Sequence, residues 1–114
     1  MVMLTHGPED GDRATVGVVM ANAARSLDKS VVLLLSLDGV RLGEPRAVDE
    51  IREPGFQTFR ELWDTFLEAG GEIWACAPCV KKRALEGHLD ERIKMVGAVA
   101  AMEYVTQDGV SVTF

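Results

Sequence analysis

At 114 residues, 47% hydrophobic and 26% charged, the chain fits one globular domain spanning 1–114, with room for one core. A formal net charge of −6 and a pI near 4.8 argue against nucleic-acid binding, which gathers lysine and arginine on one face; the basic cluster here is only Lys81-Lys82-Arg83. The longest aliphatic run, Val31 to Leu35, is far too short to cross a bilayer and the first residues lack the layout of a secretion signal, so the expectation is a cytoplasmic protein with no membrane role.

Met1 to Thr5 reads as a short first strand, followed by the turn-rich His6-Gly7-Pro8-Glu9-Asp10-Gly11. Val16, Val19, Met20, Ala23, Ala24 and Leu27 then recur as one apolar stripe of a helix begun near Asp12. Val31 to Leu37 is continuous and β-branched at its start, the pattern of a strand covered on both faces. Asp38 to Gln57 is long for a connection in so small a domain; it reads as a lid or partner surface, or as a segment holding a short helix around Ala47 to Ile51.

Thr58 with Glu61 three residues on is a capping-box signature, and Phe59, Leu62, Trp63, Phe66 and Leu67 continue it as an amphipathic helix that Gly70-Gly71 ends. Ile73 to Ala75 is a third strand. Pro78 suits the first helical position because its missing N–H has no intrahelical partner there, which predicts a helix running toward Leu85 before Gly87, with Cys79 in its first turn. Ile93 to Val96 reads as a fourth strand, Gly97 to Tyr104 as an Ala-rich helix, and Val110 to Phe114 as a fifth strand after a Gln107-Asp108-Gly109 turn.

This alternation is that of an α/β fold built from βαβ units, with a parallel sheet and helices on both faces; it does not set the strand order. In such sheets ligands bind beyond the carboxyl ends of the strands. The loops expected to converge there are His6-Gly7-Pro8, Asp38-Gly39-Val40 and Cys76-Ala77-Pro78-Cys79.

The last loop holds both cysteines of the chain. A bridge between them would close a tiny loop and restrain the unfolded chain little, so a purely structural disulfide is not expected. As free thiols they could be small buried fillers. A closed zinc site would need four ligands, and only His6 and His88 supplement the pair. Trp74-Ala75-Cys76-Ala77-Pro78-Cys79 is also similar to the C-x-P-C motif of thioredoxins, although those carry it early in the domain opposite a later proline, and no proline follows Pro78.

A fourth reading draws on nearly the whole chain. The Gly7-Pro8 after the first strand, the Asp38-Gly39-Val40 turn after the second, Cys79-Val80 opening a helix that reaches Gly87, and Gly97 leading through an Ala-rich helix to a final strand ending in Phe114 together resemble the DsrE/DsrF-like family of sulfur-relay proteins, which includes the TusD-type carriers. The resemblance implies a three-layer α/β/α sandwich with a mostly parallel five-stranded sheet of flavodoxin/Rossmann-like type. It also implies a homo- or hetero-oligomer, often trimeric or hexameric, with persulfide donor and acceptor proteins as partners; with so few possible ligands, no metal is expected, nor any cofactor. The cysteine matching Cys79 takes sulfur as a persulfide and passes it on. Cys76 departs from the many dedicated carriers with one cysteine in this loop and leaves room for disulfide chemistry.

On this reading Cys79 and Cys76 are the candidate catalytic residues. First-turn placement would face backbone N–H groups and the helix dipole toward a Cys79 thiolate, with Lys82 or Arg83 adding positive charge and Lys81 on a solvated face. Cys76 would attack the inner sulfur of the persulfide or resolve an oxidised Cys79. Two other functions remain: a dithiol/disulfide redox protein, and a non-catalytic oligomeric interaction module. Trp63 and Phe66 read as core, given their helical spacing.

Overall fold

The computed structural model describes residues 1–107 and 109–114, which leaves the Asp108 of the expected turn outside the described residues. Strands Val2–Leu4 (β1), Val32–Leu35 (β2), Glu72–Cys76 (β3), Lys94–Val96 (β4) and Val112–Thr113 (β5) form one sheet of order β4-β3-β2-β1-β5, and every neighbouring pair runs parallel. β2 sits at the centre, and all four of its residues are buried, as expected where both faces are covered.

The pleat divides these strands between two cores. Val2, Leu4, Leu33, Leu35, Ile73 and Ala75 face one side, and Val32, Leu34 and Trp74 face the other. Helices Gly11–Ser26 (α1), Pro45–Glu50 (α2), Phe59–Glu68 (α3) and Ala77–Lys82 (α4) contribute side chains to the first core, and Ala98–Thr106 (α5) packs on the second. The result is a three-layer α/β/α arrangement. The long connection after β2 holds a 3₁₀ segment, Leu37–Gly43, and α2, so the helix expected around Ala47 to Ile51 is present and begins two residues earlier.

α3 follows its sequence closely. The Thr58 side chain accepts from the Glu61 N–H at 3.2 Å, Phe59, Leu62, Trp63 and Phe66 are buried, and Gly70 turns the chain at φ +90°. α1 differs. Its buried residues are Ala14, Thr15, Gly17, Val18 and Ala21, whereas Met20 and Leu27 of the expected stripe are 48% and 70% exposed. Close approach to the sheet explains the choice, since a Cβ on Gly17 would lie 2.1 Å from Leu4 Cδ2. The packing face is mostly of small side chains with Val18; Val19 and Ala24 of the expected stripe pack at its margin, and Met20 and Leu27 are left outside it.

α4 ends at Lys82, short of Leu85, because Ala84 adopts a left-handed φ of +54° and turns the chain so that Leu85 enters the first core. Among the described residues no helix is long and apolar enough to cross a membrane.

Candidate functional site at the carboxyl edge of the sheet

Cys76 is both the last residue of β3 and the N-cap of α4, so the chain passes from strand to helix on the cysteine itself. Pro78 lies in the first turn, where its fixed φ suits the helix and its missing N–H costs no bond. Cys79 follows as the third helical residue. In this spacing an N-cap side chain lies beside the third residue of its helix, and both thiols are free, half-buried and packed at the margin of the first core.

The Cys79 Sγ accepts a hydrogen bond from the backbone N–H of Leu37 at 3.2 Å. Leu37 has a left-handed φ of +51° and its side chain is turned outward, the residue being 56% exposed. An L-residue so placed costs on the order of 1 kcal/mol and persists only where its surroundings hold it. Here the holding bonds are Ser36 N–H to Leu4 O at 3.0 Å and Gly39 N–H to Ser36 O at 2.8 Å. A Cβ on Gly39 would stand 2.1 Å from the Leu4 carbonyl oxygen, and one on Gly7 would stand 2.4 Å from that of Asp38. Glycine at both positions lets the loops after β1 and β2 touch.

Arg83 ties the cysteine loop to the same junction. Its guanidinium donates through Nε to Asp38 Oδ1 at 2.9 Å and through Nη1 to the Cys79 carbonyl at 3.2 Å, with the side chain only 13% exposed. Arg41 stands 3.8 Å from the same Asp38 oxygen. The Arg83 hydrogen bond, helped by the charges of Arg83, Arg41 and His6 and opposed by partial desolvation, holds the Asp38 carboxyl below the usual carboxylate range. His6 pairs through Nδ1 with Thr5 Oγ1 at 3.0 Å. All three post-strand loops therefore meet at one end of the sheet, as topology requires.

Burial pushes the Cys76 thiol above an ordinary thiol pKa. Hydrogen bonding with Cys79 and the charge of that residue add to the effect, while the Cys79 backbone N–H and the Arg83 charge oppose it. Cys76 makes no side-chain bond of capping geometry, so that N–H is only a partial offset. Cys76 is thus built to keep its proton. The sulfur of Cys79 instead accepts the Leu37 N–H.

The source of that N–H differs from the sequence expectation, which assigned it to the first turn of α4. The donor belongs to another loop, 42 residues upstream. Lys81 and Lys82 are exposed, and Arg83 is the basic residue that engages the loop. Leu37 was invisible to sequence reasoning because it contributes only a peptide N–H; the adjacent Asp38-Gly39 turn was the nearest readable signal. Among the described residues no group of three or more His, Cys, Asp or Glu side chains is placed to hold a metal ion, and His88 is exposed beyond α4.

The fold has a solved counterpart in the YchN protein of E. coli, which superposes with a TM-score of 0.77 at 17% identity and covers 99% of this chain and 97% of that one. In sequence the chain is similar to an uncharacterized protein of Methanocaldococcus jannaschii, 24% identical over 110 residues and 96% of this chain. It is also similar to an uncharacterized protein of Methanopyrus kandleri, 32% identical over 85 residues and 74% of this chain. It spans 40% of the length of the first and 66% of the second. With a sequence model that matches from residue 1 to residue 114, the chain belongs to the DsrE/DsrF-like family.

Proposed function

We propose that this protein is a sulfur-relay carrier, in which Cys79 accepts sulfur from a persulfide donor protein and yields it to an acceptor protein. The observation that carries the reading is the Leu37 N–H on the Cys79 Sγ, in a half-buried position where three loops meet. Membership of the DsrE/DsrF-like family supports the same role. The Cys79 thiolate attacks the outer sulfur of the donor R–S–SH. A Cys79–S–SH bond forms, the donor S–S bond breaks, and R–S⁻ leaves with the electron pair. The next transfer returns negative charge to the Cys79 Sγ, where the Leu37 N–H is placed to stabilise it.

Assembly into a homo-oligomer is part of the proposal. It is supported by exposed apolar residues on α5, Val99 at 73% and Met102 at 57%. A reducing cytoplasm suits free thiols. The test is mass spectrometry after exposure to a persulfide donor: Cys79→Ser is expected to lose all sulfur loading and Cys76→Ser to retain it. Loading that survives in Cys79→Ser and disappears in Cys76→Ser would reverse the roles and favour a dithiol/disulfide redox protein, the reading that the adjacency of the two thiols supports next.

A further inference from the structure

We infer that Cys76 discharges the sulfur taken up by Cys79, so that in the absence of an acceptor the pair releases hydrosulfide and closes to a Cys76–Cys79 disulfide. The inference rests on the persulfide reading of Cys79. It assigns the second cysteine an activity that simple relay does not need.

The geometry is that of a short strand-to-helix junction. Cys76 as N-cap and Cys79 as third helical residue put two free, half-buried thiols in one first turn, both packed at the margin of the first core. A persulfide on Cys79 would thus hold its inner sulfur in the same first turn that Cys76 caps. Attack there forms the Cys76–Cys79 S–S bond and breaks the bond to the outer sulfur, which departs with the electron pair as HS⁻. The Cys76 proton goes to solvent or to the leaving sulfide. Two thiol sulfurs are oxidised by two electrons in all, and the sulfane sulfur is the oxidant that accepts them. A dithiol reductant then restores both thiols. The loop closed is tiny, so the bridge gains little from restraining the chain and stays open to exchange.

Two features set discharge against transfer. The Leu37 N–H stabilises charge on the inner sulfur, the atom that becomes the leaving thiolate when an acceptor takes the outer one, and gives no such help to departing hydrosulfide. Burial also keeps the Cys76 proton in place. Transfer is therefore the faster route whenever an acceptor is docked, and discharge empties a carrier that meets none.

The test uses the whole chain under anaerobic conditions with glutathione persulfide as donor, followed in time by intact-mass spectrometry and a hydrosulfide assay. Wild type is expected to gain one sulfur atom, then convert to a species lacking two hydrogens while releasing one hydrosulfide per chain. Cys76→Ser and Cys76→Ala should hold the added sulfur about tenfold longer or more and release none, since they lack the neighbouring nucleophile. Equal lifetimes in wild type and both variants, with no disulfide, would overturn this inference and leave the relay reading standing. Failure of every form to take up sulfur would overturn both. The wild-type disulfide is read directly, so the outcome does not depend on either variant folding.

Discussion

The two faces of the sheet are covered very unequally. On one, α1, α3 and the segment from Leu37 to Ile51 enclose Trp63, Phe59 and Phe66 completely, with the Phe59 and Trp63 rings 5.6 Å apart. On the other, a single nine-residue helix, none of whose residues is fully buried, lies over Met1, Val32, Leu34, Trp74 and Val96. There Trp74 meets Tyr104 edge to face at 5.5 Å, and the Lys94 ammonium sits 5.5 Å from its ring. The cysteine loop is built against the thick side, where Cys76 and Cys79 pack on the first core. The proposed transfer at Cys79 would need that backbone held in place, and the first core supplies packing for it.

The comparison sets an order of expected effects. Trp63→Ala removes the largest fully buried side chain of the thick side and should cost about 3–5 kcal/mol, whereas Trp74→Ala, under a cover that can settle inward, should cost about 2–3 kcal/mol. Equal costs in denaturant unfolding would break the distinction between the faces. Next comes Tyr104→Phe. The Tyr104 hydroxyl donates to the Ser30 carbonyl at 2.9 Å and lies 3.1 Å from the Ser30 Oγ, so its loss should cost about 1 kcal/mol and loosen α5 first, read as faster amide exchange there than in α3.

The smallest effect is one of pH. Because burial raises the Cys76 pKa, the folded state holds that proton more tightly than the unfolded chain does. The associated stability is fully present below an ordinary thiol pKa and is lost as pH rises through that of Cys76. Cys76→Ala should lack this alkaline decline, and identical stability profiles of the two proteins through the alkaline range would show that the thiol is not under strain from burial.

Much of this organisation is readable in the residues themselves. Unbroken apolar character at Val31 to Leu35 marks a strand covered on both faces, Thr58 and the Phe59 to Leu67 spacing mark α3, and Pro78 marks the junction that places Cys79 in a first turn. Periodicity misjudged α1 because a helix lying tight on a sheet buries Ala14, Gly17 and Ala21, residues that carry little hydrophobic weight. It extended α4 too far because the left-handed turn at Ala84 has no glycine to announce it. At the site, the cysteines and the converging loops were legible, but the donor to Cys79 was not. A peptide N–H has no residue signature, and only the left-handed backbone of Leu37, held by contacts from Leu4 and Gly39, aims it at the sulfur.

The division between faces also has an optical consequence. The chain carries two tryptophans, one sealed in each core, and they sit in unlike surroundings. Trp63 has the Phe59 ring beside it, while Trp74 lies against a phenol and a cationic amine. Emission from the two indoles should therefore differ in colour and quenching, and each single-tryptophan variant would report the melting of its own layer without any attached dye.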